Sequence, residues 1–172
     1  DVYKRQLINN AGFGMVGAAH TLDMEKEEQM LQLLVVTPTQ LCKCCLRDMY
    51  KHGSGKILNV ASVGAFQPGP YTASYYASKS YLYQYSQAIR LEAKKQGVQV
   101  CTLCPGSTRT HFFEKTGAKT PIWAMSPERV AKEAWEGLNA DKAVVVPGMI
   151  NRLIRLVPAQ IKAYGVALLK KH

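Results

Sequence analysis

Tyr75 and Lys79 stand four residues apart in Tyr75-Tyr76-Ala77-Ser78-Lys79. On a helix that spacing puts both side chains on one face, one turn from each other. A phenol beside an ammonium has a chemical use. The positive charge favours phenolate, so the tyrosine pKa is expected to fall towards neutrality and the group to exchange a proton. Ser62 precedes Tyr75 by thirteen residues, and its hydroxyl could hold the oxygen that gains or loses that proton. An exposed i,i+4 pair on an ordinary amphipathic helix would explain a bare Tyr-x-x-x-Lys. The spacing to Ser62 and the elements around it speak against that reading.

Those elements must bring Ser62 to Tyr75. Ile57-Leu58-Asn59-Val60-Ala61 is an apolar run of strand length, so Ser62 falls at the C-terminal end of a strand, where ligands sit in open α/β sheets. A Pro68-Gly69-Pro70 loop follows, then a helix expected from Thr72 to Gln96 with Tyr81, Leu82, Tyr85, Ile89 and Leu91 as its buried face. Gly97 closes it as a glycine just past the helix end. Residues 98–103 form the next strand, ending at Cys104-Pro105-Gly106, which as a bare dipeptide could be loop punctuation.

Upstream, Leu7-Ile8-Asn9 is a short strand entering a glycine-rich turn. Gly12-Phe13-Gly14-Met15-Val16-Gly17 is literally G-x-G-x-x-G. A dinucleotide cradle should open a helix at once and meet an acid at the end of the next strand. Here His20-Thr21-Leu22-Asp23 continue the turn, and residues 57–61 carry no acid. These glycines read as a loop near a ligand and not as a diphosphate cradle. Asp23 to Tyr50 reads as one long helix, acid-rich at its start, with Met30, Leu33, Leu34, Leu41, Cys45 and Met49 inward. Ser126-Pro127-Glu128 starts another helix with an N-cap, a proline and an acid in order. Lys142–Pro147 is the last strand. From Met149 to the end apolar residues alternate with Arg152, Arg155, Lys162, Lys170 and Lys171, interrupted by Pro158 and Gly165. That tail could lie on an anionic membrane surface or pack against its own domain or a partner.

At 172 residues the chain is one domain's worth, and no run approaches a membrane span. Five cysteines without framework spacing argue for a reducing, cytoplasmic setting, peripheral at a membrane if the tail binds one. Cys42 and Cys45 form C-x-x-C mid-helix with no second pair of ligands, so core residues are expected and no metal. The net charge of +10 would suit a polyanionic cofactor, a membrane surface or nucleic acid. No aromatic-basic ladder accompanies it, which argues against nucleic acid.

Ser62, Tyr75 and Lys79, with Asn9-Asn10-Ala11-Gly12 before them and Pro105-Gly106 with Thr110 after, resemble the short-chain dehydrogenase/reductase superfamily over roughly residues 7–149. The resemblance implies a Rossmann-like doubly wound parallel sheet and hydride transfer between NAD(P) and a carbonyl or alcohol. It makes Ser62, Tyr75 and Lys79 catalytic. It places Asn9, Ala11, Gly12, Tyr75, Lys79, Pro105, Gly106, Thr108 and Thr110 at the cofactor, with NADP favoured over NAD, and it implies a small-molecule substrate and a homo-oligomer. It makes His111–Met125, with Phe112, Phe113, Ile122, Trp123 and Met125, a substrate lid. An apolar lid suits an apolar substrate, and one that merely packs on the domain stands beside it. The same pattern leads to the expectation that the chain is a truncated C-terminal half, 1–172 being a single partial domain whose first βαβαβ half is missing. Residues 1–6 then read as a non-native leader and 149–172 as an amphipathic tail, and the fragment alone should be inactive. The family's fourth catalytic residue, an asparagine, falls on Leu34. A silent binding or assembly module is the rival reading. Pro38, lacking an N–H, should free the Leu34 carbonyl and bend the helix near 34–38, turning that oxygen towards Lys79 across one water.

Overall fold

The computed structural model describes residues 5–112 and 120–170. Four parallel strands lie in the order β1 (Gln6–Asn9), β2 (Gly55–Val60), β3 (Val98–Leu103) and β4 (Val144–Val145). Their register sets Asn9 opposite Asn59 and Val60 opposite Leu103, so three strands end level along one edge. β4 is shorter than the span 142–147 suggests, because only Thr102–Val144 and Leu103–Val145 pair with β3.

Alternation along the strands divides the core in two. Ile57, Val98 and Val100 face α2 (Thr37–Lys51) and α3 (Ala73–Lys94), meeting Cys42, Met49, Ile89 and Ala93. Leu58, Cys101, Leu103 and Val145 face the other way, onto Val130, Ala134 and Leu138 of α4 (Pro127–Asn139). Covering both faces is what a parallel sheet needs, and it explains the unbroken apolar runs of β2 and β3.

α3 follows the expected span within two residues, but Leu91 is 72% exposed and lies on its outer side. Leu82, Ile89 and Ala93 form the buried stripe, while Tyr81 stacks on Tyr85 near the surface. Gly97 has φ +72°, and a Cβ there would come within 2.2 Å of the Gly53 carbonyl oxygen, so two turns meet where only glycine fits.

The loop after β1 runs without regular structure until the Asp23 carboxylate accepts the Lys26 N–H at 2.8 Å and starts α1 (Met24–Leu31). The single helix expected from Asp23 to Tyr50 is three pieces. A π-helical turn over Gln32–Val36 separates α1 from α2. The Thr37 N–H and hydroxyl both reach the Gln32 carbonyl, the hydroxyl at 2.9 Å. Pro38, next in line, has no N–H to give, so the α-ladder restarts after a widened turn. Leu34 is buried inside that turn, whereas Leu41 is 43% exposed and not in the core.

Cys42 is fully buried and Cys45 packs beside it. No disulfide joins the five cysteines, and the described residues hold no cluster of metal-ligating side chains. The tail folds into α5 (Met149–Ile154) and α6 (Ala159–Lys170), parted at Pro158. Arg152 ties α5 back to Glu133 at 3.2 Å and to the Val146 carbonyl at 2.9 Å. Leu156, Ile161, Tyr164, Leu168 and Leu169 stay exposed. Among the described residues no helix is long and apolar enough to cross a membrane.

Candidate active site

Ser62 leaves the end of β2 in extended conformation, and its Oγ accepts the Gly64 N–H at 3.0 Å, capping a short 3-10 turn over Val63–Phe66. That cap fixes the hydroxyl towards the start of α3. There the Ser62 hydroxyl faces the Tyr75 phenol closely enough to favour its charged form. The Tyr75 ring packs against Phe112, with centroids 5.5 Å apart, and against Tyr76 at 6.0 Å. One helical turn on, Lys79 is 5% exposed. Its Nζ donates to the Val60 carbonyl at 2.7 Å and lies 5.8 Å from the centre of the Tyr75 ring.

The electrostatics differ from the expected simple pairing. Burial pushes the Tyr75 phenol up to about 12, with Ser62 opposing, and Lys79 does not bring it towards neutrality. Burial likewise brings Lys79 down to about 8, since the ammonium loses water and gains a carbonyl in place of a carboxylate. The physical reason is common to both. Desolvation is the largest cause for each and disfavours each charged form.

Asn9, Ala11 and Gly12 follow β1, and Pro105 and Gly106 follow β3, along the same sheet edge as Ser62. A Cβ on Gly12 would meet Leu34 Cδ2 at 2.9 Å and lie 3.8 Å from Lys79 Nζ, so the turn is pressed onto the lysine. Asn9, Ala11, Leu34, Pro38, Val60 and Lys79 border a cavity of about 110 Å³. The Asn9 amide turns inward, donating to Asn59 Oδ1 at 2.7 Å, and Asn59 donates to Ser86 Oγ at 2.8 Å. Thr108 Oγ1 donates to the Gly106 carbonyl at 3.1 Å and steadies the Pro-Gly turn. Thr110 Oγ1 accepts the Phe112 N–H at 3.4 Å. Ile122 is 94% exposed, Met125 packs on the core beside α4, and Phe113 lies outside the described residues.

A glycine turn, a desolvated lysine and a Pro-Gly turn converge on one strand edge, and these residues could hold part of a dinucleotide. Gly12 to Gly17 lead into no helix, and none of the described residues forms a diphosphate cradle at a helix N-terminus.

A family model described as short chain dehydrogenase matches residues 5–121. The chain belongs to the short-chain dehydrogenase family. The match starts at residue 5 and so lends no support to the expectation of a C-terminal half. An uncharacterised oxidoreductase, YbbO, of Escherichia coli K12 is 28% identical, covering 90% of this chain and 64% of its own length. A 3-ketodihydrosphingosine reductase of Bacteroides thetaiotaomicron is 36% identical over 63% of this chain and 40% of its own. A short-chain dehydrogenase from Sphingobium yanoikuyae, solved in complex with NADPH, superposes with a TM-score of 0.83 at 26% identity, over 96% of this chain and 66% of that one. The chain thus spans under two thirds of the length of these curated relatives.

Two groups of polar residues escaped the sequence reading. Asn59 carried a signal, since an amide in the middle of a buried strand must find partners. Arg155 and Lys162 carried none, because their approach to the Ser62 loop depends on how the tail folds back.

Proposed function

We propose that this dehydrogenase domain reduces a carbonyl, or oxidises the matching alcohol, on a small and largely apolar substrate. The observation that supports this best is the deeply buried Lys79, bound to a main-chain carbonyl one turn from the Tyr75 phenol, whose charged form Ser62 favours. NAD(P), when bound, supplies or takes the hydride. Ser62 orients the substrate oxygen, and Tyr75, protonated across the neutral range, gives it a proton. Lys79 carries its charge below about pH 8, where it offsets phenolate as the proton leaves. Asn9, Ala11, Gly12, Lys79 and the Pro105–Thr110 turn hold the nicotinamide end. The NADPH in the Sphingobium structure favours NADP. With no diphosphate cradle among its described residues, this chain by itself holds the cofactor only weakly.

Millimolar NADPH should therefore move the amide NMR signals of Gly12, Lys79 and Gly106, with a dissociation constant well above micromolar. Unmoved signals at these positions would overturn the reading. They would favour the rival, a silent binding module, which draws on buried Leu34 standing beside Lys79 where the family has an asparagine.

A further inference from the structure

Next to Ser62 a second cleft opens, of about 190 Å³, between the Val63–Gln67 turn, the Gly106-Ser107 turn and the tail. Its apolar lining includes Val63, Phe66, Trp123 and Ile154, and its polar end holds Arg155 and Lys162. Pockets that enclose a whole ligand run to about 300–1,000 Å³, so this one receives a part of a ligand.

The two cations are placed and unspent. The Arg155 guanidinium lies over the Phe66 ring, 4.7 Å from its centre, which uses the face of the group and leaves its in-plane N–H donors. Lys162 Nζ makes one long bond, 3.4 Å, to the Phe66 carbonyl and keeps two further donors. Among the described residues neither pairs with a carboxylate, whereas Arg152 on the same short helix is spent on Glu133. No Asp or Glu occurs from Lys142 to His172, so the tail brings no acid of its own. Like charges gathered in one cleft repel, and the amine of Lys162 is held below its ordinary value by burial and by Arg155. An anion between them would relieve that repulsion and accept charge-assisted hydrogen bonds from both.

We infer that this cleft is a substrate subsite for an anionic group (carboxylate, sulfate or phosphate), with Arg155 and Lys162 as its ligands and Trp123 and Phe66 around an apolar neck. Val63 directly follows Ser62 in the chain, so the anion end of the substrate extends away from the reacting oxygen along the Ser62 turn. The substrate label rests on the carbonyl-reducing reading above; the anion site does not. A phosphate of the cofactor is the other source of the same chemistry, and the test separates them.

The test uses the full 172-residue chain and benzoate, with benzamide as its uncharged counterpart. Benzoate should shift the indole N–H signal of Trp123, one of two tryptophans in the chain, and saturate, while benzamide binds far more weakly. Arg155→Gln should weaken benzoate about tenfold, and the double variant with Lys162→Gln should abolish the shift. Arg155→Lys should retain most of the affinity, and Lys132→Gln, an exposed cation paired with Glu136 away from the cleft, should change it less than about twofold, since such a pair contributes little. NADPH-induced shifts at Gly12 and Lys79 should be the same in every variant. Equal binding of benzoate and benzamide, or benzoate affinity indifferent to Arg155, would overturn the inference. Loss of the NADPH shifts in Arg155→Gln would do so too, giving the cleft to the cofactor. Should NADPH move nothing while benzoate depends on Arg155, the anion site stands and the oxidoreductase reading falls.

Discussion

Lys79 is held in the fold at a cost. Keeping its pKa near 8 against an ordinary 10.5 amounts to about 3 kcal/mol at neutral pH, and its bond to the Val60 carbonyl returns about 1 kcal/mol. Lys79→Met should therefore stabilise the chain by about 2 kcal/mol at pH 7, read by urea unfolding. Between pH 8 and 10.5 the unfolded chain binds the proton that the folded chain has released. Stability of the native sequence thus rises through that window, and the advantage of the variant should close by about pH 10. A variant destabilised at pH 7, by an amount unchanged with pH, would contradict the burial argument. Ser62, Tyr75 and Lys79 were legible in the sequence because helical spacing and strand-end position are local rules. The direction of the Tyr75 shift was not. It depends on Phe112 and Tyr76 closing over the phenol, and the contact with Phe112 crosses from a distant loop.

At the level of elements, a widened turn over Gln32–Val36 comes just before Pro38. Pro38 falls at the start of α2, where its missing N–H coincides with the break in the ladder. Where a bend near 34–38 was expected, the structure has a π-helical turn over Gln32–Val36, a feature often found at functional sites. Leu33, Leu34, Thr37 and Pro38 border the 110 Å³ cavity with Lys79, space enough for an ordered water. We propose that a carbonyl of this turn, Leu34 by the α-helical count, holds that water next to the lysine. In an active fusion of this chain with the part of the Sphingobium yanoikuyae enzyme that it does not match, Pro38→Ala should then slow turnover about tenfold by disturbing proton supply, with a larger solvent isotope effect and unchanged NADPH affinity. Unchanged turnover would reduce Pro38 to a helix bend. The strands and most helix starts were legible from apolar runs and caps, with Asp23 and Ser126 both capping as their positions suggest. The Asn9–Asn59–Ser86 chain was not, since it joins three elements through the sheet register.

Seen whole, the described chain is a four-stranded sheet with α2 and α3 on one side and α4 on the other, and β1 is an edge. Ile8 in that edge is 53% exposed, beside backbone groups that pair with no other strand among the described residues on the outer side. Such an edge invites pairing with another copy. The chain should self-associate in light scattering, and Ile8→Lys should shift it towards monomer. A native chain that stays monomeric would contradict this. The layers were legible from the order of strands and helices. How the tail returns to the Ser62 turn was not, because contacts such as Lys162 with the Phe66 carbonyl span the length of the domain.

The central claim, that Ser62, Tyr75 and Lys79 work together on a carbonyl, is tested most directly by turnover in a fusion protein. Fused to the part of the Sphingobium yanoikuyae enzyme that it does not cover, the chain should bind NADPH and oxidise it when ketones are added. Tyr75→Phe in that fusion should cut turnover by about a thousandfold while the dissociation constant for NADPH stays the same. A fusion that binds NADPH and turns over equally well with and without Tyr75→Phe would contradict the account.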